Sequence, residues 1–178
     1  MTPNTTPRLE LDVIIDTPAW LDAVPTAEAL CRRSALAAFH AAAARIPETQ
    51  AEAEASVVLS SDAQLRVLNA AYRGIDEATN VLAFSAVDLA QPCLAEQPPP
   101  LLLGDVIVAF ETAVAEAMLE RKELADHLCH LVVHGMLHLL GYDHETENEA
   151  EEMERLEAAV LASLGVADPY SVASIDLQ

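Results

Sequence analysis

Basic residues are scarce in this chain of 178 residues. Nine Lys and Arg side chains stand against 29 Asp and Glu, which gives a formal net charge of −20 at pH 7. This balance excludes the class of nucleic-acid-binding proteins that a high isoelectric point identifies. Any polyanion that the protein handles must therefore be held locally, against repulsion from the chain as a whole.

Cysteine is also scarce, and long hydrophobic runs are missing. The three cysteines, Cys31, Cys93 and Cys129, are odd in number and form no Cys-x-x-Cys pair, which indicates buried thiols in a reducing compartment. No apolar run approaches the ~20 residues that span a bilayer, and residues 1–7 lack the apolar segment of a signal peptide. We therefore expect a cytoplasmic protein with no membrane partner.

The remaining composition is that of a folded protein. Hydrophobic residues make up 52% of the chain, too many for intrinsic disorder, and the length is typical of one domain, expected over residues 1–178. Strand and helix patterns are mixed without a strict βαβ repeat, which favours an α+β fold. The segment 86–100 contains four prolines and is predicted to be a surface loop.

Hydrophobic spacing predicts the individual elements. Apolar or alternating runs predict strands at 9–15, 56–59, 80–84 and 101–110. Helical spacing and capping residues predict helices from Thr26 to about Ala44, from Ser61 to Gly74, across 111–140 and up to Gly165. In the first helix, Leu36 and Phe39 are expected to face the core. Because 111–140 is long for a globular helix, we expect a break near 120–123.

Five of the six histidines lie between positions 127 and 144. His130, His134 and His138 repeat every four residues, so they stack along one face of a helix. Eight residues rise ~12 Å along a helix, whereas zinc binds each nitrogen at ~2.0–2.1 Å. His130 and His138 therefore cannot share one ion, and only a neighbouring pair can.

Gly141 favours the pair His134 and His138. A glycine can adopt the left-handed conformation that ends a helix and reverses the chain, and this would return His144 towards that pair. The pattern His-x3-His-x2-Gly-x2-His has the spacing of the metzincin zinc motif. We therefore predict a metal bound by these three histidines, with a fourth position open to water as in catalytic zinc sites.

Gly135 departs from that motif. A zincin protease carries its general-base glutamate directly after the first histidine, and this chain has Gly135 there. Metal binding is therefore expected, and ordinary peptide hydrolysis is not. His127 and His130 are assigned to packing or to supporting the ligands, and His40 to a structural or surface role.

Three segments of the chain resemble the YbeY family, bacterial endoribonucleases that act in ribosomal RNA maturation. They are the histidine-rich segment 134–144, the arginine-bearing block 68–82 and the strand 103–107. The acidic stretch after His144 and the terminal residues 168–170 extend the likeness, which covers most of residues 56–170.

The resemblance implies a fold, a site and an activity. The fold is a zincin-like α+β domain with a small mixed sheet packed with helices, and a metal site on a central helix and the following turn. One divalent metal, expected to be Zn²⁺, is bound by His134, His138 and His144, and Arg73 is the functional arginine. The implied activity is single-strand-specific endonucleolytic cleavage in 16S ribosomal RNA 3′-end maturation and ribosome quality control. The implied partners are ribosomal RNA, the 30S ribosome and ribosome-associated proteins. Binding to DNA is not expected.

A metal and a guanidinium both suit phosphodiester cleavage. The metal can act as a Lewis acid or lower the pKa of a bound water, and Arg73 can pair with phosphate and stabilise charge in the transition state. RNA can also supply its own 2′-hydroxyl as nucleophile. Asp143 and Glu145 are both candidates for a base or for a ligand-supporting partner, and Asp105 is assigned to the turn or the sheet.

Two other functions share parts of this pattern. One is a zinc hydrolase of a peptide, an ester or a small phosphodiester, which Gly135 disfavours. The other is a non-catalytic ribosome-assembly factor with a structural metal.

The charge distribution constrains how RNA is held. Arg66 and Arg73 lie seven residues apart on one predicted helix face and are expected to form a small positive spot with the metal. Few phosphate contacts give weak binding with a shallow salt dependence, so we expect the ribosome or a protein to present the RNA. Eight acidic residues between Asp143 and Glu157 are predicted to form a solvated helix face.

Overall fold

The computed structural model describes residues 7–89 and 95–171. Residues 1–6, Cys93 and the part of the predicted loop around Pro92 lie outside the described residues. Within the described part, four strands and six α-helices follow one another. They are β1 (Arg8–Ile15), α1 (Ala19–Ala23), α2 (Ala27–Ala41), β2 (Glu52–Ser60), α3 (Asp62–Arg73), β3 (Val81–Ser85), β4 (Leu101–Ala109), α4 (Phe110–Leu119), α5 (Leu124–Leu139) and α6 (Glu147–Ser163).

The four strands form one mixed sheet. Its order is β1-β2-β4-β3, with β1, β2 and β4 parallel and β3 antiparallel to β4. The predicted α+β class with a small mixed sheet is confirmed. None of the helices in the described ranges is long and apolar enough to cross a membrane.

The two sheet faces carry different helices. Ala83 of β3 pairs with Val106 of β4, and both belong to the main core that α5 and α2 cover. The next pair, Leu82 and Ile107, points the other way, as alternate strand residues do, and packs with Leu65 of α3 in a smaller core. Helices α3 and α5 therefore lie on opposite faces of the sheet, on either side of β3, which with β1 forms the two edges of the sheet in the described part.

Helix α3 begins and ends where the sequence predicts. The Ser61 hydroxyl accepts a hydrogen bond from the backbone N–H of Gln64 at 3.4 Å, so it caps the helix N-terminus. Gly74 takes the left-handed conformation at φ 71° and ends the helix directly after Arg73. Local capping chemistry accounts for the position of both ends.

The predicted break in the long helical segment is also confirmed. Helix α4 ends at Leu119 and α5 begins at Leu124. Between them Arg121 adopts a left-handed φ of 55°, which ends the first helix and redirects the chain. The charged residues at this break are hydrophilic and lie at the surface or partly exposed.

The prediction that Leu36 faces the core is wrong. Leu36 is 37% exposed, while Phe39 is fully buried as expected. The buried face of α2 is formed by small residues, including Cys31, Ala35 and Ala38. Leu36 lies about 100° round the helix from Ala35, so the packing of the small residues turns it towards solvent.

Helix α1 has no counterpart in the sequence prediction. It is five residues long and buries Trp20, whose indole N–H donates a hydrogen bond to the carbonyl of Ser60 at 3.0 Å. So short an element shows no hydrophobic period. The buried thiols of Cys31 and Cys129 are free, as predicted for the two cysteines that the structure describes.

Candidate metal centre

Helix α5 approaches the sheet closely at Gly135. A Cβ atom added there would lie 2.5 Å from Cγ1 and 3.0 Å from Cγ2 of Val106, well inside van der Waals contact. The glycine thus allows the helix that carries the histidines to pack directly on β4. A glutamate at this position, where a zincin protease carries its general base, does not fit without displacing Val106.

The chain reverses at the end of α5, as Gly141 predicts. Gly141 has a φ of 86°, and its N–H donates to the carbonyl of His138 at 3.0 Å. The N–H of Tyr142 donates to the carbonyl of Leu137, also at 3.0 Å. These two bonds form a Schellman motif, and the returning chain carries His144 back to the helix.

Arg45 holds the reversed segment in place. Its Nη1 donates to the carbonyl of Gly141 at 3.1 Å, and its guanidinium lies 3.7 Å from the centroid of the Tyr142 ring. Tyr142 precedes the third histidine by two residues. A distant part of the chain therefore supports the turn that positions His144.

The three predicted histidines converge. The two Nε2 atoms of His134 and His138 are 3.1 Å apart, and the ring of His144 lies 5.1 Å from that of His138 and 6.0 Å from that of His134, centroid to centroid. One nitrogen from each residue falls within 4.8 Å of the other two. His134 and His138 are half-buried and His144 is exposed, so the cluster opens to solvent on the side of His144.

The hydrogen bonds of this cluster fit a bound cation. Nδ1 of His134 lies 3.1 Å from Oε2 of Glu157, and Nδ1 of His138 lies 3.0 Å from the carbonyl oxygen of Tyr142. A carboxylate and a carbonyl only accept, so each Nδ1 carries a proton, and in the neutral form of each imidazole the Nε2 atom presents a lone pair. Two lone pairs that face each other at 3.1 Å repel unless a cation lies between them.

The spacing and the protonation state both suit a metal. Zinc bound tetrahedrally at ~2.0–2.1 Å separates two nitrogens by about 3.4 Å, close to the separation of the two Nε2 atoms. Burial, followed by repulsion from His134, lowers the pKa of His138, and the neutral imidazole is the form that binds metal. The residues present therefore fit one divalent ion.

Glu157 is the site residue that the sequence interpretation missed. It is fully buried on α6, between His130 and His134. Burial by itself raises its pKa, but hydrogen bonds from the two histidines outweigh burial and lower the pKa to about 2. A buried carboxylate thus stays ionised behind His134, one of the predicted metal ligands.

The prediction of a fully solvated acidic face is wrong at Glu157. The other seven acidic residues between 143 and 157 are exposed, but Glu157 lies four residues after Met153 and three before Val160, both buried. The informative signal was a charged residue inside an apolar stripe. The surrounding run of acidic residues obscured it.

Neither Asp143 nor Glu145 hydrogen-bonds the imidazole ring of a predicted metal ligand through a contact that the described residues make. Both are exposed, and Oδ1 of Asp143 accepts the backbone N–H of His144 at 2.8 Å. Asp143 therefore shapes the return of the chain. Asp105 accepts a hydrogen bond from the Ser56 hydroxyl across the sheet, in keeping with the structural role predicted for it.

The remaining histidines lie where they were expected. Nε2 of His127 contacts Oε2 of Glu116 at 2.7 Å in a buried position, and His130 contacts Glu157. His40 is exposed on α2. His127 and His130 thus extend a partly buried row of contacts between histidines and glutamates along α5.

Arg73 is exposed at the end of α3, on the opposite face of the sheet from α5. It makes no hydrogen bond, ion pair or ring contact with any residue in the described ranges. The expected positive spot with Arg66 is not formed, because Arg66 binds Asp76 through two bonds of 2.8 and 3.0 Å. Hydrogen bonding to Arg66 lowers the pKa of Asp76, so this pair is charge-neutral, whereas Arg73 has no acidic partner among the described residues.

Comparison with known proteins places the chain in a family. The family model described as Endoribonuclease YbeY matches residues 25–165. Endoribonuclease YbeY of Paramagnetospirillum magneticum is 51% identical over 165 residues, which covers 93% of this chain and 98% of the relative. That of Nitrobacter winogradskyi is 47% identical over 168 residues, with 94% and 84% covered.

A solved structure agrees on the fold. The solution structure of TM1509 from Thermotoga maritima aligns with a TM-score of 0.53 at 20% identity, covering 92% of this chain and 100% of that one. At this identity the likeness concerns the fold alone. By the family model and the two close relatives, the chain belongs to the YbeY family of endoribonucleases.

Proposed function

We propose that this chain is a metal-dependent endoribonuclease that cleaves single-stranded RNA in 16S ribosomal RNA 3′-end maturation and in ribosome quality control. The observation that carries the proposal is the pair of Nε2 atoms of His134 and His138, 3.1 Å apart with both Nδ1 atoms engaged by acceptors. Family membership supplies the class of substrate.

The proposed metal is Zn²⁺, held by His134, His138 and His144. Three imidazoles are a donor set that zinc accepts, and three protein ligands leave a position open for reaction. When bound, such an ion would polarise a phosphoryl oxygen or lower the pKa of a bound water. The exposed side of the cluster at His144 is where a phosphodiester would enter.

Arg73 is proposed as the catalytic arginine. Its guanidinium has no partner among the described residues, so it is available to pair with a phosphate of the substrate and to stabilise the charge that builds up during cleavage. Because α3 and α5 lie on opposite faces of the sheet, RNA that contacts both Arg73 and the histidines must cross the edge strand β3.

The buried carboxylate is not the general base. Glu157 contacts His130 and His134, and its low pKa makes it a poor proton acceptor. The exposed residues Asp143 and Glu145, which flank His144, remain the candidates for a general base supplied by the protein. A 2′-hydroxyl nucleophile from the RNA itself would reduce the demand on either.

Two features favour RNA presented by the ribosome over unaided capture of free RNA. The chain carries a net charge of −20, and the Arg66 charge is balanced by Asp76. The proposed partners are therefore the 30S ribosome and ribosome-associated proteins, in the cytoplasm, where the free thiols of Cys31 and Cys129 would stay reduced.

The test is a cleavage assay on metal-loaded protein with a fluorescent single-stranded RNA and the same sequence as a duplex. His138→Ala and Arg73→Ala should each lower the rate by about 100-fold or more, with folding checked by circular dichroism. His40→Ala and Arg33→Ala, at exposed positions of α2, are matched controls and should keep full activity. Undiminished cleavage by His138→Ala would overturn the proposal.

The same experiment separates the alternatives. A hydrolase of neutral substrates would cleave a peptide or ester and tolerate Arg73→Ala, and Gly135 packed on Val106 argues against it. A non-catalytic assembly factor would show no turnover with any RNA, yet would bind 30S subunits equally well in the wild type and in His138→Ala.

A further inference from the structure

Tyr72 is an exposed ring in a chain with few aromatic residues. The chain has three Phe, three Tyr and one Trp, and Tyr72, in the last turn of α3, is 71% exposed. It is the most exposed Phe, Tyr or Trp side chain in the described part of the chain. Folding leaves most of this large apolar surface in contact with water.

The ring of Tyr72 is held from one side. Its centroid lies 5.1 Å from that of Phe84, with the two planes tilted by 58°, an arrangement that aromatic pairs favour. Phe84 belongs to edge strand β3 and packs with Leu68 against the small core beneath α3. One side of the Tyr72 ring is therefore supported by the fold, while most of its surface remains open.

An unbalanced cation follows directly in sequence. Arg73 lies one position further on, about 100° round the helix, and makes no polar contact with a described residue. Arg66, about two turns earlier, is bound to Asp76. This end of α3 thus offers one supported aromatic ring and one available guanidinium.

These two groups match the chemistry of a single-stranded nucleic acid. Proteins that bind single strands stack bases on aromatic side chains and pair nearby cations with the backbone, and stacking tolerates any sequence because every base has a π-face. Stacking is also the contact that a chain of net charge −20 can make without many phosphate pairs.

We propose that Tyr72, supported by Phe84 and flanked by Arg73, is a platform on which an unpaired base of the RNA stacks. The inference rests on the proposed function, since it names a contact of the same substrate. Helix α3 and the histidine cluster lie on opposite faces of the sheet, so the base that stacks on Tyr72 belongs to RNA that crosses β3, and the Tyr72 ring itself does not touch the reacting atoms. It acts on binding and not on the cleavage step.

The test measures binding of a fluorescent, cleavage-resistant 2′-fluoro oligonucleotide and of an abasic oligomer of the same length. Loss of one stacked base corresponds to about 5- to 150-fold in Kd, so Tyr72→Ala should weaken binding of the base-containing oligomer by this factor and Tyr72→Phe should not. Both variants should bind the abasic oligomer like the wild type. Leu119→Ala, at another exposed apolar side chain, is the control for loss of apolar surface.

In cleavage assays Tyr72→Ala should raise KM with kcat unchanged, and melting curves should show an intact fold. An unchanged Kd, or equal weakening for the abasic oligomer, overturns the platform. Loss of 30S association with unchanged oligonucleotide binding also overturns it, because Tyr72 would then contact a protein.

The platform and the nuclease can fail separately. If the wild-type protein binds RNA in a base-dependent way but does not cleave it, the proposed function is overturned and the platform still stands. Normal cleavage with an unchanged KM in Tyr72→Ala would overturn the platform and leave the proposed function standing.

Discussion

Nδ1 of His134 lies 3.1 Å from Oε2 of Glu157, a carboxylate with no exposed surface. The contact fixes the imidazole as the tautomer with its proton on Nδ1, and so aims the lone pair of Nε2 at His138. A carboxylate behind a histidine ligand also makes that ligand more basic. Packing of α6 on α5 therefore determines the donor properties of a residue on α5.

Replacement of Glu157 by Gln should weaken metal binding by about 10- to 100-fold. The amide nearly preserves the volume but removes the charge that orients and polarises His134. Competition of the metal-loaded protein with a chromophoric zinc chelator measures this directly, without reference to catalysis.

Glu116→Gln is the matched control for that change. Glu116 contacts His127, also on α5, at 2.7 Å, but His127 is not a proposed ligand. If both variants lose metal equally, Glu157 acts only by stabilising α5, and the positioning role is refuted.

Substitution of Gly135 by Ala should destabilise the fold by about 1–3 kcal/mol, the usual effect of overpacking. The added methyl would lie 2.5 Å from Cγ1 of Val106. Chemical denaturation of Gly135→Ala, Val106→Ala and the double variant forms a mutant cycle. The double variant should be more stable than the sum of the single effects indicates; strict additivity would show that Val106 is not the obstacle.

Cys31 and Cys129 should resist alkylation in the folded protein. Burial raises the pKa of Cys31 to about 12 and also raises that of Cys129. Both thiols are thus protonated at pH 8, whereas the thiolate is the nucleophile. Iodoacetamide labelling, read peptide by peptide with and without denaturant, should modify them only after unfolding; rapid modification in the native state would contradict this burial.

The histidine cluster could be predicted from sequence because its information is local. His134 and His138 share one helix face, and Gly141 encodes the turn that returns His144, all within eleven consecutive residues. Glu157 lies on another helix, and its role depends on how α6 packs against α5, which spacing does not encode.

The same limit explains two other errors. Leu36 looked like a core residue from its type, but the small buried residues of α2 set the face that packs inward. Arg66 looked like an available cation, but Asp76, ten residues away past the turn at Gly74, folds back to neutralise it. In each case a neighbour brought by folding overrode the property of the isolated residue.

Gly141 should matter to the metal as well as to the fold. An alanine there must keep a φ near 86°, which costs about 1–2 kcal/mol for a residue with a Cβ, or else move the turn and His144. Because 1.4 kcal/mol corresponds to a factor of ten, zinc affinity should fall by about tenfold when the strain is relieved by displacing that ligand.

Gly165→Ala separates strain from ligand placement. Gly165 ends α6 with a φ of 77°, and a Cβ there would meet no atom within 4 Å; at Gly141 the nearest atom would be 3.8 Å away. The two substitutions are thus equally strained and equally uncrowded, and denaturant melts of the metal-free proteins should show similar losses of stability. Only Gly141→Ala should also lose zinc in the chelator competition, because only that turn carries a histidine back to the cluster. Equal zinc affinity in both variants would mean that His144 reaches the metal without the left-handed turn.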